Sequence, residues 1–162
     1  MSYKLEKPYT DAQRADFIVE NNHNKGLVIE ETETALYALE AWEKLVDDAV
    51  IDNTEEYEAE QAQKEKERIA RLNLTGADVE RGIYQAKGMD FDDIIAFVTA
   101  NPPQGLDVKA LKIELKANHF YRGNPYVEAI GTLLGFTSMQ LDKFFETNDY
   151  TYLLYKEVMV DA

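Results

Sequence analysis

The spacing of apolar residues changes character along the chain. Near the start, the capping box Thr10-Asp11-Ala12-Gln13 is followed by Ala15, Phe17, Ile18 and Val19, which predicts a short amphipathic helix with those side chains toward a core. The Asn-rich run 21–26 ends it, and Gly26 supplies a left-handed residue. Two short β-prone stretches follow at 27–29 and 36–39, with Glu31-Thr32-Glu33-Thr34 as a turn region between them. In the second, Leu36 and Ala38 alternate with Tyr37 and Leu39. Residues 42–46 and 49–51 read as a hairpin hinged at Asp47-Asp48, where a glycine would turn more easily and fix the register better.

Residues 54–72 lose this short-range alternation. The stretch has no Gly or Pro and is built of Ala, Glu, Gln, Lys and Arg, the residues that cost least in a helix. Thr54 is placed to cap its start, Glu55 and Glu56 sit at the positive end of the helix dipole, and Arg68 and Arg71 at the negative end. Glu60 and Lys64 form a favourable i,i+4 pair. The apolar positions Tyr57, Ala59, Ala62, Ile69 and Leu72 leave a gap between 62 and 69, so no coiled-coil seam is sustained and the stretch reads as a connector.

From 73 onward, caps recur. Thr75, Asp90, Asp107, Asn124 (followed by Pro125) and Thr137 each open a predicted helix; Gly88, Pro102-Pro103, Gly123, Gly135 and Asn148 or Asp149 close them. The third of these helices is expected to run from Asp107 to near Gly123 with Val108, Leu111, Ile113, Leu115 and Phe120 apolar. The aromatic tail over 150–160 reads either as a short helix or as an extended arm. The predicted fold class is α+β. A small head over 1–53 combines one helix with short antiparallel strands, a connector helix covers 54–72, and an all-α bundle covers 73–162.

Composition narrows the function classes more than it names one. The chain has 162 residues, is 45% hydrophobic and contains no cysteine, so it supports real cores without disulfides or thiolate chemistry. Residues 1–10 carry charges and a proline in place of a signal-peptide core, and no apolar run nears the roughly 20 residues of a membrane span. A formal charge of −14 weighs against nucleic acid or anionic membranes as direct partners. The charge is also uneven: over 28–60 twelve acids face Lys44 alone, a net −11, whereas over 61–72 the net is +2.

Candidate chemistry is sparse. His23 and His119 have no ligand-type partner at helical spacing, and Ser2 and Ser138, the only serines, lie one at the terminus and one inside a helix start, which makes a poor case for a catalytic triad. Asp90, Asp92 and Asp93 lack the spacing of a calcium loop and fit a helix start. Gly131, Gly135 and Leu141 match the spacing of a helix-turn-helix, but the second helix offers no arginine and a net negative charge, so it reads as a helical corner. No catalytic, cofactor-binding or metal-binding residue is expected. The surplus is aromatic and basic: Tyr150, Tyr152 and Tyr155 in the tail, and Lys64, Lys66, Arg68 and Arg71 along the connector, are the candidates for protein contacts.

Lys7-Pro8-Tyr9-Thr10-Asp11 with Ala15-Asp16-Phe17, and Ala35-Leu36-Tyr37-Ala38-Leu39-Glu40, give the first 72 residues a resemblance to small uncharacterised proteins of phages and prophages of Gram-positive bacteria, with a looser echo over 78–93. The resemblance implies a viral origin among virion or tail-region structural proteins, and it carries no active-site residue. The expected function is therefore non-enzymatic: structure or assembly through contacts with other phage proteins or with copies of itself. The expected location is the cytoplasm of the bacterial host, with incorporation into the virion as a further expectation. The acidic stretch supplies the alternative, a nucleic-acid mimic that inhibits or regulates a host protein.

Overall fold

The computed structural model describes residues 1–154, and they form an α+β fold that divides into two compact units, one over Met1–Lys64 and one that begins at Glu65.

In the first unit, β1 (Tyr3–Glu6), β2 (Val28–Glu31) and β3 (Ala35–Leu39) make a three-stranded antiparallel sheet in the order β1-β3-β2. β1 has no counterpart in the sequence expectation: it is four residues long and finds its partner far along the chain, with Leu5 opposite Leu36. The central place of β3 explains its composition. All five of its residues are buried, because parity puts Ala35, Tyr37 and Leu39 on one face, and Leu36 and Ala38 on the other.

Between β1 and β2 runs α1 (Asp11–Ile18), opened by the Thr10–Gln13 capping box with both reciprocal bonds present. A π-turn over Val19–His23 follows, and Gly26 takes φ of +73°. Of the four side chains expected in the core, Phe17 and Ile18 are half-buried, while Ala15 and Val19 are exposed. The wider π-turn breaks the 3.6-residue spacing at Val19, so the expectation fails there. Buried Asn21 in that turn donates to the Phe17 carbonyl at 2.9 Å.

The hairpin forms as β4 (Glu43–Val46) and β5 (Ala49–Asp52), with Leu45 opposite Val50 and Val46 opposite Ala49. Its two-residue loop holds Asp47 and Asp48 at φ of 51° and 60°, the left-handed pair that a tight hairpin with right-handed strand twist requires. Leu45 packs on the cluster Ala35, Tyr37 and Leu39, and the Tyr37 hydroxyl donates to the Asp48 carbonyl at 3.0 Å.

The long helix is α2 (Thr54–Ala70), and none of its residues is buried. Thr54 is not its cap. It is the first helical residue, and its amide and hydroxyl both donate to the Asp52 carboxylate, at 2.8 and 2.6 Å. The division between the units falls inside α2, between Lys64 and Glu65.

The second unit continues through β6 (Asn73–Thr75), α3 (Gly76–Lys87), α4 (Phe91–Ala100), α5 (Val108–Glu114), β7 (His119–Tyr121), α6 (Pro125–Leu134) and α7 (Ser138–Thr147), ending in a 3-10 turn over Tyr150–Leu153. The five helix starts carry the expected caps. Asp90 and Asp93 form a reciprocal capping box, which gives that acidic cluster a structural role. The unit is not all-α. β6 and β7 pair antiparallel, and Leu74 stands opposite Phe120 with both side chains in the core. For the same reason α5 stops at Glu114: Phe120 reaches the core from a strand, and Ile113, one of the apolar positions of the expected helix, is 70% exposed. The core gathers residues from every helix α3–α7, among them Ile83, Ile94, Leu111, Ile130 and Phe144. It leaves a void of about 20 Å³ lined by apolar side chains, which offers nothing to hold a ligand or an ordered water.

Candidate protein-contact surfaces

The four cations singled out from the sequence are not equivalent. Lys64 closes the expected ion pair with Glu60 at 2.6 Å, and that contact raises its pKa. The Arg68 guanidinium grips Glu65 through Nε and Nη2, at 2.9 and 2.7 Å, and reaches Glu146 on α7 at 3.0 Å. Its pKa is raised by Glu65 first and Glu146 second. Lys66 and Arg71 are exposed. Beside Arg68, a shallow groove of about 190 Å³ has Ile69 and Met139 as its apolar part and Glu65, Asp142, Lys143 and Glu146 around them.

The tyrosines are likewise divided. Tyr150 is half-buried and packs on the core of the second unit, where it also lines a polar notch of about 90 Å³ with Asp78, Arg81, Gln85 and Asn148. Tyr152 is exposed, on a 3-10 turn whose buried Leu153 faces inward. The turn is capped by Asp149, which accepts from the Thr151 hydroxyl and amide at 2.6 and 2.9 Å, and both bonds hold its pKa low. Tyr155 lies outside the described residues.

The α6–α7 corner has the geometry its glycines predict. Gly135 is left-handed with φ of 80°, and the Leu141 side chain seats directly against Gly131. A buried guanidinium holds the corner: Arg122 donates to Asp142 at 2.7 Å and to the Ser138 carbonyl at 3.2 Å, and pairs with Glu128 at 2.8 Å. Glu128 is held below its ordinary value by the Ser138 hydroxyl first and by Arg122 second. The arginine nearest this corner is thus committed to the fold. Among the described residues, no group of three or more His, Asp or Glu side chains is arranged to hold a metal ion.

The surface that sequence reasoning missed is the hairpin. Opposed residues share a face, so Leu45 and Val50 point one way while Val46, Ala49, Ile51 and Lys44 point the other. The Asn53 amide donates to the Trp42 carbonyl at 2.7 Å, which extends the ladder by one step and puts Trp42 on the same side as Val46. On this outer face Trp42 is 43% exposed, Val46 45% and Ile51 37%. Lys44 crosses it to reach Glu56 at 3.0 Å. The signal was present in the sequence: Leu45-Val46 and Val50-Ile51 are apolar on both faces, whereas a hairpin with one solvated face alternates apolar with polar.

Comparison with protein-family models, with curated proteins and with solved structures finds no match.

Proposed function

We propose that the chain is a non-enzymatic structural or assembly protein that acts through protein–protein contacts, of the kind carried in virions or tail regions of phages of Gram-positive bacteria. The observation that carries this reading is the outer face of the β4–β5 hairpin, where Trp42, Val46 and Ile51 lie together in solvent on an element whose other face packs through Leu45. Three adjacent large apolar side chains on a regular two-stranded surface fit a contact site better than they fit a solvated edge. Site and partners are then proteins encoded with this chain or copies of it, and the place of action is the host cytoplasm or the assembled particle.

The test is co-expression with the virion and tail-region proteins of the genome that encodes the chain, followed by purification and light scattering. A complex of defined stoichiometry is expected; a chain that stays monomeric and retains none of those proteins sinks the reading. The net charge of −11 over 28–60 favours the second reading, a mimic of nucleic acid that occupies a host nucleic-acid-binding protein. Capture from host lysate separates the two, because a complex held by mimicry dissolves steeply with salt.

A further inference from the structure

The outer hairpin face has a charge frame that selects its partner. Over 42–59 the acids are Glu43, Asp47, Asp48, Asp52, Glu55, Glu56 and Glu58, and the single base, Lys44, is already paired with Glu56. The apolar strip of Trp42, Val46, Ala49 and Ile51 therefore sits in a surplus of uncompensated negative charge. Four rungs of strand make it roughly 13 Å long, the reach of a short peptide segment and well under a globular dimer interface.

A second copy fits this frame poorly. Face-to-face pairing of two hairpins would bring two acidic frames together, and the chain as a whole carries −14. Its basic stretch is also partly spent, since Lys64 is held by Glu60, and Arg68 by Glu65 and Glu146. Nucleic acid and anionic lipid are repelled by the same acids.

Resting on the reading of this hairpin as a contact site, we propose that its outer face docks a basic, aliphatic segment of a partner protein. The aliphatic side chains of that segment cover Trp42, Val46 and Ile51, and its lysine or arginine side chains meet the carboxylates around them. Exclusion of water from the strip supplies the hold, and the charge frame supplies orientation and a fast encounter.

The chain has one tryptophan, and it lies on the strip, so Trp42 emission reads this face alone. The probe is a synthetic peptide of alternating valine and lysine, with serine–lysine and valine–glutamate peptides of equal length as controls, titrated into the full chain. The valine–lysine peptide is expected to shift Trp42 emission to shorter wavelength with saturation, and to bind about tenfold more weakly when ionic strength rises from roughly 0.05 to 0.5 M. The double variant V46T/I51T keeps β-forming side chains and is expected to bind at least about tenfold more weakly, the scale of a lost central contact. D47N and E55Q remove charge at an exposed turn and an exposed helix position, and are expected to weaken binding at low salt only. Their folding is checked by circular dichroism.

Absence of any Trp42 response together with absence of heat by calorimetry overturns the proposal. So does equal binding of the serine–lysine peptide, or undiminished binding by V46T/I51T. A dimer that light scattering detects in the parent chain and not in V46T/I51T overturns it in favour of a second copy. The broader reading fails separately. If V46T/I51T still assembles with virion proteins, assembly stands and the hairpin falls; if the peptide binds but no virion protein does, the site stands and the assembly role falls.

Discussion

The ring of Phe144 occupies the space a side chain at position 82 would need: a β-carbon on Gly82 would stand 2.4 Å from the Phe144 Cζ atom. Position 82 is buried in the middle of α3, where glycine is otherwise a poor choice by roughly 1 kcal/mol relative to alanine. Its use there is explained by the Phe144 ring of α7, whose outer edge lies against the α3 backbone at this position.

Gly82→Ala is therefore expected to lower the stability of the second unit despite the gain in helix propensity. Phe144 is 2% exposed and has nowhere to swing. Overpacking costs about 1–3 kcal/mol against a propensity gain of about 1 kcal/mol, so a net loss of up to roughly 2 kcal/mol should appear in urea denaturation followed by far-UV circular dichroism. The double variant Gly82→Ala/Phe144→Leu should recover part of it. A single variant as stable as the parent would show that the ring is not held where it lies.

Arg122 makes the second case. Its side chain is 9% exposed and its partners Asp142 and Glu128 are 31% and 46% exposed. Arg122→Met would leave two carboxylates without a cation, but both reach water, so the cost lies at or below the low end of that for breaking a buried pair, roughly 2 kcal/mol. Arg122→Lys should recover little of it, because lysine lacks the planar fork whose Nε, Nη1 and Nη2 each meet a different partner, Asp142, Glu128 and the Ser138 carbonyl. Thermal melts of the three proteins check the order: parent, then Lys, then Met.

The hairpin turn is improvable. Asp47 and Asp48 both sit at positive φ, where asparagine and glycine are better tolerated. Asp47→Asn/Asp48→Gly gives up a 3.2 Å contact between the Thr34 hydroxyl and the Asp48 carboxylate, yet keeps the Tyr37 bond, which uses the backbone carbonyl. The first unit should gain about 0.5–1 kcal/mol, read by Trp42 fluorescence in urea. Tyr37→Phe should lose a similar amount.

These particulars show which parts of the fold were legible in the sequence. Caps were, because a cap is a local exchange between a side chain and an amide two or three residues on; the Thr10, Thr75, Asp90, Asp107, Asn124 and Thr137 starts all form as read. Pairings between distant short segments were not. β1 meets β3 with Tyr3 opposite Ala38, β6 meets β7 with Leu74 opposite Phe120, and strands of three or four residues carry no period of their own. Thr54 misled because a cap-type residue at a helix start is also a good first residue when the acid two positions earlier, Asp52, receives its amide. For the contact candidates, charge and aromatic content mark Arg68 and Tyr150, but only the fold shows that Arg68 also pairs within its own helix and with α7, and that Tyr150 is half-buried against the core.

Glu31 gives the last prediction, on pH. It ends β2, and its carboxylate accepts from the Tyr9 hydroxyl, from Arg14 through Nε and Nη2 at 3.3 and 3.1 Å, and pairs with Lys7 at 3.3 Å. The cluster ties the segment before α1 to the end of the sheet. The Tyr9 hydroxyl, then Arg14 and Lys7, lower the Glu31 pKa from 4.5 to about 2. A carboxyl whose pKa is lower folded than unfolded stabilises the fold fully above its unfolded value and loses that contribution as pH falls through its folded value. Stability supplied by Glu31 should therefore be complete above about 4.5 and fade toward about 2. Glu31→Gln should be less stable than the parent at neutral pH, with the gap closing across that window, as read from urea midpoints by Trp42 fluorescence. Other acids of this unit held low, Glu20, Asp52 and Glu56, titrate in both proteins, so the difference between the curves isolates Glu31. Curves that run parallel down to the acid end would show that the cluster around Glu31 does not hold the sheet to α1.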